Sequence, residues 1–123
     1  MAKGDDTQER LVALAASVVT FCNDLPKGAA GSHLANQLLR SGTSPVPNYA
    51  EARGAESDRD FVHKLRVVLK ELNETEVWLQ VLVRTRIVAR EAICPMREEC
   101  NALARIITAS IRTLKRRRVS SQG

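Results

Sequence analysis

Glu51, Glu56, Glu71 and Glu74, with His33 and His63 as the chain's two histidines, invite a reading as a carboxylate di-metal site. Carboxylate di-metal sites in helical bundles take a Glu from each of two helices and a Glu-x-x-His from each of two others. His33 and His63 are the only histidines, and neither completes that motif. No metal or other cofactor is therefore expected. The glutamates read instead as partners for Arg or Lys, with Arg53 and Arg59 among the candidates, in ion pairs that hold helices or subunits in register. Cys22, Cys94 and Cys100 are an odd number with no C-x-x-C and no His at zinc spacing, so they read as free thiols. No Ser, Cys and His stand as a nucleophile with its base, and no enzymatic activity is expected. His63, between Val62 and Lys64, reads as a partly exposed residue in the first turns of a helix rather than as a phosphate contact.

The cations suggest a different kind of site. The chain has 19 basic and 14 acidic residues, a net charge of +5. Arg105, Arg112, Lys115, Arg116, Arg117 and Arg118 fall in a stretch without an acid, which leaves 13 basic residues against 14 acidic ones elsewhere. Steps of seven and four put Arg105, Arg112 and Arg116 on one stripe of a helix. That stripe suits the phosphate backbone of RNA or DNA. It also suits the plainer role of a solvated helix end, where cations interact favourably with the helix dipole. In an antiparallel bundle the start of a preceding helix would add Arg59, Lys64 and Arg66. Aromatic residues make up 3% of the chain, which speaks against base-stacking platforms.

The elements that must position these residues are helices. Hydrophobic residues are 44% of the chain and no strand-like alternation occurs, so the class is all-α. Ser57 to Val88 contains neither Gly nor Pro and reads as one long helix, close to 50 Å at about 1.5 Å per residue. Ser57 with Asp60 resembles a capping box. Phe61, Leu65, Val68, Leu72, Thr75, Leu79 and Leu82 alternate steps of four and three and form its core seam. Val67, Trp78 and Val81 lie off that seam and predict a contact with another subunit. The first helix starts near Asp6 and stops at Pro26 to Gly28, with Leu11, Leu14, Ala15, Val18, Cys22 and Leu25 inward. Val12, Ala16 and Val19 add a second strip that could meet a neighbour or another subunit.

The second helix starts at Ser32 in this reading, breaks near Ser41 to Pro45 with Ser44 as a new cap, and restarts towards Arg53. The last helix begins with Pro95, and Met96, Cys100, Leu103, Ile107, Ser110, Ile111 and Leu114 keep the three-four spacing to its end. Short connections make neighbours antiparallel. The expected fold is thus a single antiparallel up-and-down four-helix bundle with a broken second helix, spanning residues 1–123, with 1–5 and 119–123 outside the ordered helices. Leu11 to Cys22 could be mistaken for a signal-peptide core, but Asp5, Asp6 and Glu9 precede it and no A-x-A site follows. It is also too short to cross a bilayer. A cytoplasmic protein without a membrane partner is expected.

Tyr49 to Ser57, then Asp60 to Leu65, then Leu69 to Leu79 (LKELNETEVWL) resemble the bacterial four helix bundle family, also called the S23 or 23S-rRNA intervening-sequence protein family. The resemblance runs over about residues 34–88. It implies an antiparallel bundle that assembles as a homopentamer, with no established enzymatic activity. More distantly the family is similar to the accessory variability proteins of diversity-generating retroelements, basic pentamers that bind nucleic acid and a reverse transcriptase. Pro47 and the run Lys115 to Arg118 are not carried by the resemblance.

Two functions fit these residues. One is an oligomeric accessory protein that holds RNA or DNA by its backbone with little sequence preference. The other is a structural or adaptor oligomer whose partner is a protein and whose basic end only keeps it soluble.

Overall fold

A computed structural model describes residues 2–122 of the chain. The described elements are all helical: α1 (Asp5–Asn23), α2 (Ala29–Thr43), α3 (Pro45–Arg53), α4 (Asp58–Thr85) and α5 (Arg90–Gln122). Counting α2 and α3 as one interrupted helix, four helices surround one core. Neighbours round the bundle run α1, α2–α3, α4, α5 and back to α1, so α1 and α4 are diagonal to each other. Consecutive helices are antiparallel, because each connection is short and each helix packs on the one before it.

The core follows the three-four periodicity. Leu11, Leu14, Val18 and Cys22 of α1 meet Leu34 and Leu38 of α2, Leu65, Val68, Leu72, Leu79 and Leu82 of α4, and Met96, Cys100, Leu103, Ile107 and Ile111 of α5. At the start of α4 the expected seam is displaced by one residue. Val62 is buried and Phe61 only half-buried. Gly42 lets α1 and α2 approach closely, and Gly31 lets the connection between them fold back on α2. A Cβ on Gly31 would stand 1.8 Å from the Pro26 carbonyl oxygen, and one on Gly42 would stand 2.8 Å from Val18 Cγ1.

The interruption at Ser44 is a break in hydrogen bonding and not a turn. Ser44 keeps helical dihedrals (φ −59, ψ −33), its amide donates to the Arg40 carbonyl at 3.1 Å, and its own carbonyl accepts from the Asn48 amide at 3.3 Å. Pro45 and Pro47 lack the amides that would have continued the ladder. Ser44 does not cap through its side chain as expected; its hydroxyl turns back to the Arg40 carbonyl at 2.6 Å.

Other boundaries differ from the sequence reading: α1 already ends at Asn23, and buried Leu25 lies in the connection after it. α2 starts at Ala29 behind an extended Gly28, three residues before Ser32, because Gly31 has to sit against the Pro26 carbonyl. The long helix is 28 residues, about 42 Å, and stops at Arg86, whose φ of 59 is left-handed. No Gly marks that stop. Thr85 closes the end instead, its hydroxyl donating to the Leu82 carbonyl and accepting from the Ile87 amide, while Ile87 and Val88 pack on the core. Pro95 then lies inside α5 rather than at its start. Its missing amide costs one backbone bond, and buried Ile93 and Met96 on either side hold the helix through it. At the ends, α1 takes in Asp5 and α5 is helical through residues 119–122.

Candidate nucleic-acid interface

The Ser57 hydroxyl accepts from the Asp60 amide at 3.1 Å and so fixes the start of α4. Farther along, Arg97 Nε donates to Glu76 Oε1 at 2.7 Å and sets the register of α4 against α5. From that pair, 17 residues back along α4 reach Arg59 and 18 forward along α5 reach Lys115. The antiparallel register therefore brings the basic end of α5 beside the start of α4. Arg59, Val62, His63, Arg66, Lys115 and Arg118 line one concavity of about 280 Å³ there.

Arg59 and Arg66 share a face because they are seven residues apart. Lys64 is about 200° round the helix from Arg66 and leaves this group. It reaches α3 instead, where its ammonium donates to Glu51 at 3.0 Å. Arg105, Arg112 and Arg116 are exposed on the outer face of α5, continuing the positive surface away from the concavity. Arg117 points to the opposite flank of α5, towards Lys3 and the start of α1. His63, which the sequence suggests only as a partly exposed helix residue, lies beside the four cations, a placement that depends on the α4–α5 register.

The glutamates and Arg53 act elsewhere. Glu74 pairs with Arg40 of α2. Glu71 accepts from Asn48 Nδ2 at 2.9 Å, and burial pushes its carboxyl above the usual range, opposed by the bond from Asn48. Arg53 donates to Asp5 at 2.5 Å, and that bond holds the Asp5 carboxyl below its ordinary value. Glu74 and Glu51 thus pair with cations of neighbouring helices as expected, but neither Arg53 nor Arg59 is the partner of Glu71 or Glu74. Arg59 sits near the start of α4, about 18–22 Å along the axis from the glutamates, while Asn48 and Arg40 lie opposite them in the antiparallel register of α2–α3 on α4. Glu56 is exposed near the α3–α4 corner. A pair with no local signal in the sequence joins α1 to α5: Arg10 donates to Glu99 at 3.0 and 2.6 Å.

Of the residues expected at a subunit boundary, Val12 (41% exposed), Ala16, Val19 (46%) and Val81 (38%) lie at the surface. Val67 is half-buried. Trp78 has a partner within its own chain, packing on the core with its ring edge-on to His33 at 6.0 Å. Val77, 54% exposed and four residues before Val81, belongs with the surface strip; the i,i+4 spacing was visible in the sequence.

Burial pushes the thiols of Cys22 and Cys100 up to about 11 and about 12, so both are poor nucleophiles at neutral pH. Among the described residues no three His, Cys, Asp or Glu side chains gather as a metal site. Among them, too, no helix is long and apolar enough to cross a membrane.

Comparison with known proteins adds to this geometry. Residues 6–109 match the model of a family described as 23S rRNA-intervening sequence protein. A crystal structure of a protein of unknown function from the S23 ribosomal protein family, from Bacteroides thetaiotaomicron VPI-5482, is 31% identical with a TM-score of 0.78. The match covers 85% of this chain and 97% of that one. No functionally curated protein matches the chain.

Proposed function

Since the chain belongs to the 23S rRNA-intervening sequence protein family and gathers cations from two helices at one end of its bundle, we propose that it is a non-enzymatic accessory protein that holds RNA or DNA by the phosphate backbone. The observation that carries this reading is the shared concavity of Arg59, Arg66, Lys115 and Arg118. A nucleic-acid phosphate bound beside these cations releases condensed counterions, which favours binding. Arg105, Arg112 and Arg116 extend the track along α5. Contacts of this kind position a backbone and do not read bases, so little sequence preference is expected.

The test is a salt series. Replacing Arg59, Arg66, Lys115 and Arg118 with Gln should leave helix content unchanged, lower affinity for RNA and DNA by orders of magnitude at moderate salt, and flatten the salt dependence by about one counterion per lost contact. Binding as tight as the parent's at every salt concentration would overturn the reading. A second reading rests on other residues. Exposed Val12, Val19, Val77 and Val81 favour an oligomer or adaptor with an apolar protein contact. Binding through that surface would be nearly indifferent to salt.

A further inference from the structure

The flank of α5 opposite the cation concavity holds a second, larger one. A groove of about 700 Å³ lies between the start of α1, the α3–α4 corner and the last turns of α5. Tyr49, Phe61, Ile106 and Leu114 give it apolar walls. Small residues help to keep it open: Ala109 and Ser110 of α5, and Gly4 just before α1. Gly4 has a φ of 92, and a Cβ there would stand 3.0 Å from the Tyr49 hydroxyl, so the wall of α1 cannot easily thicken. Lys3, Arg53 and Arg117 stand at the rim with one acid, Asp58. Arg53 is held by Asp5, which leaves Lys3 and Arg117 to set the sign of the rim against Asp58.

We propose that this groove receives an unstacked nucleobase of a single strand whose phosphates continue over the end of α5 to the Arg59–Lys115 concavity. The inference rests on the phosphate-backbone reading and adds to it a preference for single strands. Three observations support it. The volume falls within the range of about 300–1,000 Å³ for small-molecule sites, most of whose lining is apolar with a few placed polar groups. A nucleotide has the matching character, a flat, weakly polar base joined to an anion. Leu114 and Arg117 line the groove while Lys115 and Arg118 line the other concavity, so one helix about 10–12 Å across separates the two. Low aromatic content argued against stacking, yet placement matters more than content. Phe61, half-buried, and Tyr49, 7% exposed, are two of the four aromatic residues in the chain, and both line this groove. A duplex keeps its bases paired inside and has nothing to insert.

The test uses the full chain and three fluorescent RNA probes: a short single strand, the same strand with abasic riboses, and the corresponding duplex, with a DNA strand in parallel. The parent should bind the base-bearing strand about tenfold or more tighter than the abasic one. Ala109→Trp, which fills the groove from an exposed position, and Phe61→Leu, which keeps the apolar volume but removes the ring, should each abolish that difference. Neither should change the salt slope. Equal affinity for the abasic and base-bearing strands would overturn the inference and leave the phosphate reading standing. No binding of any probe would overturn both. If Ala109→Trp changes the mass seen by light scattering and leaves the base preference intact, the groove is a subunit contact and the inference is wrong.

Discussion

The hydroxyls of Ser41 and Thr75 are hydrogen-bonded at 2.9 Å in the core, and neither residue has any exposed surface. The Thr75 hydroxyl also lies 2.9 Å from the Glu71 carbonyl. One proton cannot serve both partners, so Thr75 donates to the carbonyl and Ser41 supplies the proton of the shared bond. This bond sits on the line where α2–α3 crosses α4, flanked by the pairs Arg40–Glu74 and Asn48–Glu71. Thr75→Val should cost about 1–3 kcal/mol, because Ser41 would lose its partner in a dry site. The double variant Ser41→Ala, Thr75→Val should recover much of that loss. Urea titrations of the two single variants and the double one measure the coupling, and additive losses would show that the hydroxyls do not act as a pair.

Arg10 holds the carboxyl of Glu99 below its ordinary value of 4.5. A carboxylate with a depressed folded pKa stabilises the fold above its unfolded value, and the contribution fades as pH falls through the folded value. Both side chains are about one-third exposed, so solvent screens the pair and its worth is about 1 kcal/mol or less. Glu99→Gln should therefore lower Tm slightly at pH 7 and make no difference at pH well below 4.5. Melting curves across that window check the sign.

Glu71 should show the opposite trend. Its folded pKa lies above 4.5, chiefly through burial, so the fold favours the protonated form. That stabilising contribution is present below the unfolded value and is lost as pH rises through the folded one. Glu71→Gln, whose amide oxygen can still accept from Asn48, should raise stability at pH 7 by about 1 kcal/mol or less, a few degrees in Tm. The gain should disappear in acid. A lower Tm at neutral pH would mean that the carboxylate charge itself holds the junction of α2 and α3.

Exposed valines on α1 and α4 lie on diagonal helices, so a contact that used both would join unlike faces of neighbouring copies, the arrangement that closes rings. We expect a homo-oligomer, a pentamer by family resemblance, and light scattering at micromolar concentration should show a multiple of 13.6 kDa. Val81→Asp should dissociate it while circular dichroism keeps its helical signal. A parent protein that stays monomeric would remove the basis for this expectation.

What the sequence determined by itself was the periodic burial. Leu65, Val68, Leu72, Thr75, Leu79 and Leu82 were identifiable as the inward face of α4 because helical repeat is local, and the same holds for the core of α1 and α5. The hydrogen-bond interruption near Pro45 was equally legible, since a missing amide needs no context. Other features were decided only by tertiary structure. The stop at Arg86 has no Gly to announce it, and Pro95 could sit inside α5 only because Ile93 and Met96 bury themselves on either side. Which charges meet is a matter of register between helices. Arg10 and Glu99 are 89 residues apart and nothing near either names the other. Lys64 and Arg66 are two residues apart and face different helices, one pairing with Glu51 and the other joining Arg59, Lys115 and Arg118. A side chain's direction round its own helix can be read from spacing, but what stands opposite depends on the packing of the whole bundle.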